Sequence, residues 1–223
     1  SSVWRSDGYN AVRISTQAIE RIIRTTRLFE DSYAWTYYEQ GHAFYCLQVA
    51  GLSTTLVYDV STQQWHERVF RNPNNNNEEQ HRGSTHIFIF NQHLVGDRET
   101  GKVYEMSLEF YDDFGNPLIK KRISPTLVEE NLLQSHSLFE LDMETGVGLT
   151  SGQGSDPQVM MRYSDDRGRT WSSELWRSCG KIGEYNQRVT WHALGQTRGR
   201  VYEVSVSDPV FVQINGAYLN SGA

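Results

Sequence analysis

The sequence predicts an all-β fold, β-propeller-like, built from four-stranded antiparallel blades in a full or partial ring, with one short helix near the N-terminus. Three observations predict it. Short runs rich in aromatic and β-branched residues alternate with polar ones, as in Tyr33-Ala34-Trp35-Thr36-Tyr37-Tyr38. Clusters of Asp, Asn and Gly separate those runs and supply tight turns. The text also repeats: Gly199-Arg200-Val201-Tyr202-Glu203 echoes Gly101-Lys102-Val103-Tyr104-Glu105 almost residue for residue.

In chain order, Gly8 to Thr16 reads as a strand leading into a helix capped by Thr16. Ala18, Ile19, Ile22 and Ile23 follow at helical spacing, with Glu20 in the first turn. Arg21, Arg24 and Arg27 form a basic helix face, most simply a solvated one. Tyr33–Tyr38, His42–Val49, Thr54–Asp59 and Trp65–Phe70 then make a four-stranded meander in about 40 residues, the size of one propeller blade. The Asn-rich stretch 72–80 has no apolar side chain and reads as an exposed loop with little order. His86–Phe90, Gln92–Asp97 and Lys102–Leu108 repeat the theme as a second blade, with Tyr104 in the place of Tyr58. Tyr111 to Pro117 is an acidic turn leading to the basic edge Lys120-Lys121-Arg122. Leu138–Glu144, Val159–Tyr163, Ser172–Trp176, Tyr185–Leu194, Arg200–Val206 and Val210–Ile214 are the remaining strands. Residues 1–125 are thus expected to carry the blades, and 126–223 a second β-sheet unit continuous with them.

Composition sets outer bounds. With 223 residues the chain supports a sizeable core, and a net charge of -6 argues against general duplex-DNA binding, which needs a basic stripe to displace counterions. Cys46 and Cys179 stand far apart, so no disulfide framework or zinc site is read and both are expected as buried thiols. No apolar run reaches the length of a membrane span and no signal peptide is evident, so a soluble chain in a reducing compartment is expected, without membrane partners. The start at Ser1, without Met, suggests a piece of a longer protein.

Few residues carry chemistry. His66 and Glu67 adjoin on a strand and point to opposite faces. His81, His86 and His93 lie near one another but lack a companion set at ligand spacing, so no metal site is read. Asp112 and Asp113 beside Gly115-Asn116-Pro117 read as turn formers, and the glycines between Gly146 and Gly154 lack a Walker lysine. No catalytic residue and no cofactor are assigned.

The most distinctive stretch is Ser164-Asp165-Asp166-Arg167-Gly168-Arg169-Thr170-Trp171, whose Ser-x-Asp-x-Gly-x-Thr-Trp spacing fits the Asp-box. Ser164 and Asp166 are expected to accept turn amides, Gly168 to take the left-handed conformation, and Trp171 to plug the loop from beneath, with Thr170 completing the turn. The role read for these residues is structural, because such turns staple hairpins wherever they occur.

Beyond this motif, Leu141-Asp142-Met143-Glu144-Thr145-Gly146-Val147-Gly148, Met161 to Trp171, Gly180 to Tyr185, Arg188-Val189-Thr190-Trp191, Leu194 to Arg198 and Ser207-Asp208-Pro209-Val210 form a recognisable set. Together they resemble the C-terminal part of the packaged-DNA stabilisation proteins of short-tailed bacteriophages, also called tail hub, nozzle or head-completion proteins; Tyr58 to Arg68 resembles the same family's blade. The resemblance implies a homo-oligomeric ring in the virion tail, assembled in the host cytoplasm. Such a ring closes the portal channel after packaging and meets the portal or adaptor and the distal tail proteins. DNA is touched only indirectly, within the channel. The alternative is a sialidase-like glycoside hydrolase or glycan-binding propeller, for which Arg162, Arg188, Tyr202 and Glu203 offer the residue types without a telling spacing.

Overall fold

The computed structural model describes residues 2–26 and 30–220. Its strands pair antiparallel, with one short helix among the described residues. The chain divides into two units, Ser1–Phe110 and Tyr111–Ala223, a division upstream of the 125/126 boundary read from the sequence.

In the first unit, β1 (Trp4–Asp7) and β2 (Asn10–Arg13) form a hairpin, so the single strand expected over residues 8–16 is instead only the return arm of a turn at Gly8. Helix α1 (Gln17–Ile23) follows, and the Thr16 hydroxyl accepts the Ile19 N–H at 3.3 Å as its cap. Ile19 and Ile23, four residues apart on one face, are buried with Val49 and Leu56. Glu20 is buried too, which the helical pattern alone does not foretell. It accepts from Arg13 Nε and the Ser15 hydroxyl, both at 2.8 Å, and these bonds hold its carboxyl at about 2 in spite of its burial. One carboxylate thereby fastens hairpin to helix. Arg24 reaches the same group at 3.5 Å, while Arg27 lies outside the described residues.

The meander forms as expected from β3 (Tyr33–Glu39), β4 (His42–Gln48), β5 (Thr55–Asp59) and β6 (Gln64–Arg71). A fifth strand, β7 (Glu78–Gln80), pairs with β6 and corrects the reading of the Asn-rich stretch. Asn side chains order that loop: Asn72 Oδ1 accepts the Asn74 N–H, Asn75 Oδ1 accepts the Asn77 N–H, and Asn72 N–H donates to the Asn77 carbonyl. All five residues of β5 are buried because both faces of its sheet are covered. Leu56 faces the helix, whereas Val57 joins Trp35, Tyr37 and Cys46 in a second cluster.

Val95 completes that second cluster from a three-stranded sheet, β8 (Gly83–Ile89), β9 (Gln92–Asp97) and β10 (Val103–Met106), with Tyr104 and Met106 packed beside it. Register corrects one expectation. Tyr58, just before Asp59, pairs with Trp65 across its hairpin, but Tyr104 pairs with Val95, and the residue just before Asp97 is Gly96.

The second unit begins with the small hairpin β11 (Asp112–Asp113) and β12 (Asn116–Pro117), where Asp112 Oδ1 accepts the Gly115 N–H at 3.0 Å. The strands after it are β13 (Lys120–Ile123), β14 (Gln134–Ser135), β15 (Leu138–Met143), β16 (Gln158–Ser164), β17 (Leu175–Ser178), β18 (Val189–His192), β19 (Gln196–Thr197), β20 (Val201–Val206) and β21 (Ile214–Leu219). Two sheets, ordered β13-β20-β16-β17 and β18-β15-β21, share one core; β14 and β19 pair separately. Val159, Met161, Tyr202, Val204 and Val206 from the first meet Phe139, Leu141, Met143, Val189 and Trp191 from the second. Three strands differ from expectation. The partner of β16 starts at Leu175 rather than Ser172, the strand expected over 185–194 covers only 189–192, and the last strand is 214–219 rather than 210–214. Val210 nevertheless fills the core, so its apolar spacing marks packing without ladder pairing.

Leu56 is wholly enclosed between sheet and helix. Leu56→Ala is expected to lower unfolding free energy by about 2–5 kcal/mol, measured by urea denaturation, because the cavity cannot collapse around it.

Candidate functional site

Asp59, Asp97 and Asp166 each collect the amides and hydroxyls of the turn that follows them. At the end of β5, the Asp59 carboxylate accepts the Ser61 N–H at 2.9 Å and the Thr62 hydroxyl at 2.8 Å, with His42 Nδ1 at 2.8 Å. Burial pulls its pKa up, yet these donors outweigh burial and hold it at about 2. At the end of β9, Asp97 accepts the N–H groups of Glu99 and Thr100, the Thr100 hydroxyl, and the Arg82 guanidinium at 2.9 Å. Beyond β16, Asp166 accepts from Arg169 N–H at 2.9 Å, Thr170 N–H at 2.8 Å, the Thr170 hydroxyl at 2.6 Å and the Ser164 hydroxyl at 2.7 Å. The Thr170 hydroxyl and amide lead in holding this carboxyl far below the usual carboxylate range. The shared signal is an Asp with a Thr three or four residues later, legible in Asp59-Val60-Ser61-Thr62 and Asp97-Arg98-Glu99-Thr100 but not singled out by the sequence reading.

Around Asp166 the rest of the motif closes in. Buried Ser164 accepts the Gly168 N–H at 2.8 Å, and Gly168 has φ +87°, a conformation that favours glycine. Half-buried Trp171 lies under the turn, its ring 3.6 Å from where a Cβ on Gly168 would stand, with the Arg162 guanidinium 4.8 Å over the indole. The neighbouring Asp165 turns elsewhere: Arg200, almost fully buried, grips both its oxygens at 2.7 and 2.9 Å and also donates to the Leu194 carbonyl. Arg200 lies 4.0 Å from the centre of the Tyr163 ring. This tie between turn and core has no local sequence signal, since its partners are 35 residues apart.

The residues proposed for glycan chemistry are engaged otherwise. Arg162 pairs with Glu203 at 2.7 Å, Arg188 pairs with Glu140 at 2.7 Å, and Tyr202 turns to the opposite face of β20, bonded to His136 at 2.7 Å. His86 Nε2 lies 2.9 Å from His93 Nδ1, while His81 Nδ1 accepts the Gly83 N–H and is shifted down to about 4 by burial and by Arg68 and Arg98. No group of three or more His, Cys, Asp or Glu suited to a metal occurs among the described residues. Cys46 and Cys179 are buried free thiols, and burial raises them to about 11 and about 12.

Two family models match this chain collinearly. Residues 1–111 match the β-propeller of bacteriophage P22 Gp10, and residues 121–222 match the β-sandwich of the same protein. The chain belongs to the bacteriophage P22 Gp10 family. Both matches agree with the two units seen, and the face-to-face sheets of the second are a sandwich in that family's description. The P22 Gp10 family gives the chain a phage structural, DNA-stabilising role as a virion component. No curated protein sequence matches it. A solved exo-β-1,3-galactanase from Phanerochaete chrysosporium aligns at 7% identity with a TM-score of 0.20, over 83% of this chain and 56% of that one, a likeness too weak to bear on activity.

Asp166→Asn is expected to expose the Arg169 and Thr170 amides to faster hydrogen exchange at neutral pH. Because the folded carboxyl titrates below its unfolded value, wild-type stabilisation by Asp166 is complete above the ordinary carboxylate range and fades as pH falls below it. Gly168→Ala, forced into the left-handed region, is expected to cost about 1 kcal/mol in thermal or urea unfolding.

Proposed function

We propose that this chain serves in the phage tail as a tail-hub, or nozzle, subunit. It closes the portal channel after packaging, stabilises the DNA behind it and links the portal or adaptor to the distal tail proteins. The observation that carries this reading is the collinear match of both units to one phage DNA-stabilising protein. The subunits form a homo-oligomeric ring assembled in the host cytoplasm, and adhesion between them comes from burying apolar surface. Exposed groups suited to such contacts include Phe88 and Phe90 on the β8–β9 hairpin, Val103 on the open edge of β10, and Leu132 and Leu133 before β14. Ser164, Asp166, Gly168, Thr170 and Trp171 act as a staple that keeps the second unit rigid under load. The net charge of -6 suits a lumen along which DNA slides without adhering.

Mass measurement of the purified chain, alone and mixed with a portal-ring protein, tests this. A closed oligomer and a defined complex with the portal are expected; a stable monomer indifferent to the portal overturns the reading.

A further inference from the structure

We propose that His136 is an acid-sensitive latch in the second unit: as a neutral imidazole it holds β20 and the Asp165 turn in place, and its protonation releases them. The geometry is a chain of contacts that crosses the core. His136 is 1% exposed, and its Nδ1 lies 2.7 Å from the Tyr202 hydroxyl. The Arg200 guanidinium lies 5.9 Å from the centre of the Tyr202 ring, and whichever ring nitrogen holds the proton of the neutral imidazole, Nδ1 and the phenol share a single hydrogen bond. The other ring nitrogen, Nε2, has no hydrogen-bond partner among the described residues.

Adding a proton to this ring has no local remedy. With both ring nitrogens protonated, Nδ1–H donates to the Tyr202 oxygen and the phenol proton must turn away from the ring and lose that acceptor. Nε2–H is unpartnered, and a buried imidazolium then stands beside a buried guanidinium. The charged and titratable groups around it are Arg200 and Tyr202 of the β20 segment, with Tyr163 of β16 and Asp165 just beyond that strand. Asp165 is the one carboxylate in this set, and both its oxygens are already taken by Arg200. Burial first, and Arg200 second, push His136 below its ordinary value, while Asp165 opposes them only in part.

The direction of the pH effect follows. The unfolded imidazole binds its proton near pH 6.5 and the folded one lower. The stabilisation is therefore complete above about 6.5 and is lost as pH falls toward the folded value, by roughly tenfold in the folded-to-open ratio per pH unit. The elements released are those the latch joins: the segment leaving β14, whose His136 N–H and carbonyl also bond Gly195 and Leu194, the strand β20, and the turn held through Asp165.

Amide hydrogen-exchange protection in β20 and across residues 165–170, measured on the full chain at pH 7.5 and 5.0, tests the proposal. Wild type is expected to lose protection roughly tenfold or more on going to pH 5.0, whereas His136→Asn, which cannot charge, keeps a nearly constant value. Tyr202→Phe, which retains the titrating ring, is expected to remain acid-sensitive. Equal protection at both pH values in wild type, or an equal loss in His136→Asn, overturns it. Where His136→Asn does not fold, the NMR titration of the His136 Cε1–H in wild type decides. A midpoint below about 6.5 that coincides with loss of β20 protection supports the latch, and an ordinary or raised midpoint overturns it.

Discussion

A carboxylate that finishes a strand and gathers the donors of its own turn is the constraint on which this molecule rests. A β-hairpin alone is marginal in water, and each reversal leaves amides that the ladder does not use. Asp59, Asp97 and Asp166 take up those amides together with a threonine hydroxyl, so the reversal is fixed by charge-assisted bonds before tertiary packing is considered. Register follows from a fixed turn. With Asp59 and Asp97 in place, β5 meets β6 and β9 meets β10 so that Val57 and Val95 fall on the same internal layer.

Ion pairs then bind these local units to their surroundings. Arg82 reaches Asp97 from the segment before β8, Arg200 reaches Asp165 from the start of β20, and Arg13 reaches Glu20 from β2. In each pair one partner is buried, so loss of either side strands a charge. Arg13, Arg82 and Arg200 therefore serve as structural bolts, each engaged with a carboxylate.

What was legible in the sequence was local. The meander from Tyr33 to Phe70 was readable because alternation and turn residues agree there, and the Thr16 cap because one hydroxyl before an apolar helical face is a short-range signal. The spacing from Ser164 to Trp171 likewise announced its own hydrogen bonds. The Asn-rich stretch was misread because composition records the lack of apolar side chains but not the bonds from Asn72 and Asn75 that order the backbone. Val210 to Ile214 was misplaced for a different reason: alternating apolar residues pack equally well from an irregular segment, and the ladder with β15 begins only at Ile214 after a register shift at Asp142 and Met143. Glu20, Arg200 and His136 were invisible because their partners come from other elements.

The two units solve the problem of covering a sheet differently. In the first, the five-stranded sheet is covered on both faces, by α1 on one side and the β8–β10 sheet on the other, which makes β5 an unbroken buried run. The outer face of β8–β10, with Ile87 and Val103, carries no such cover among the described residues. In the second, two sheets close on a single core around Trp191 and Met161, and Gly146 lets the loop after β15 approach Tyr185 so tightly that a Cβ would stand 2.8 Å from its ring. The second unit thus closes its apolar side chains inside one core, whereas the first leaves Ile87 and Val103 exposed on a sheet face.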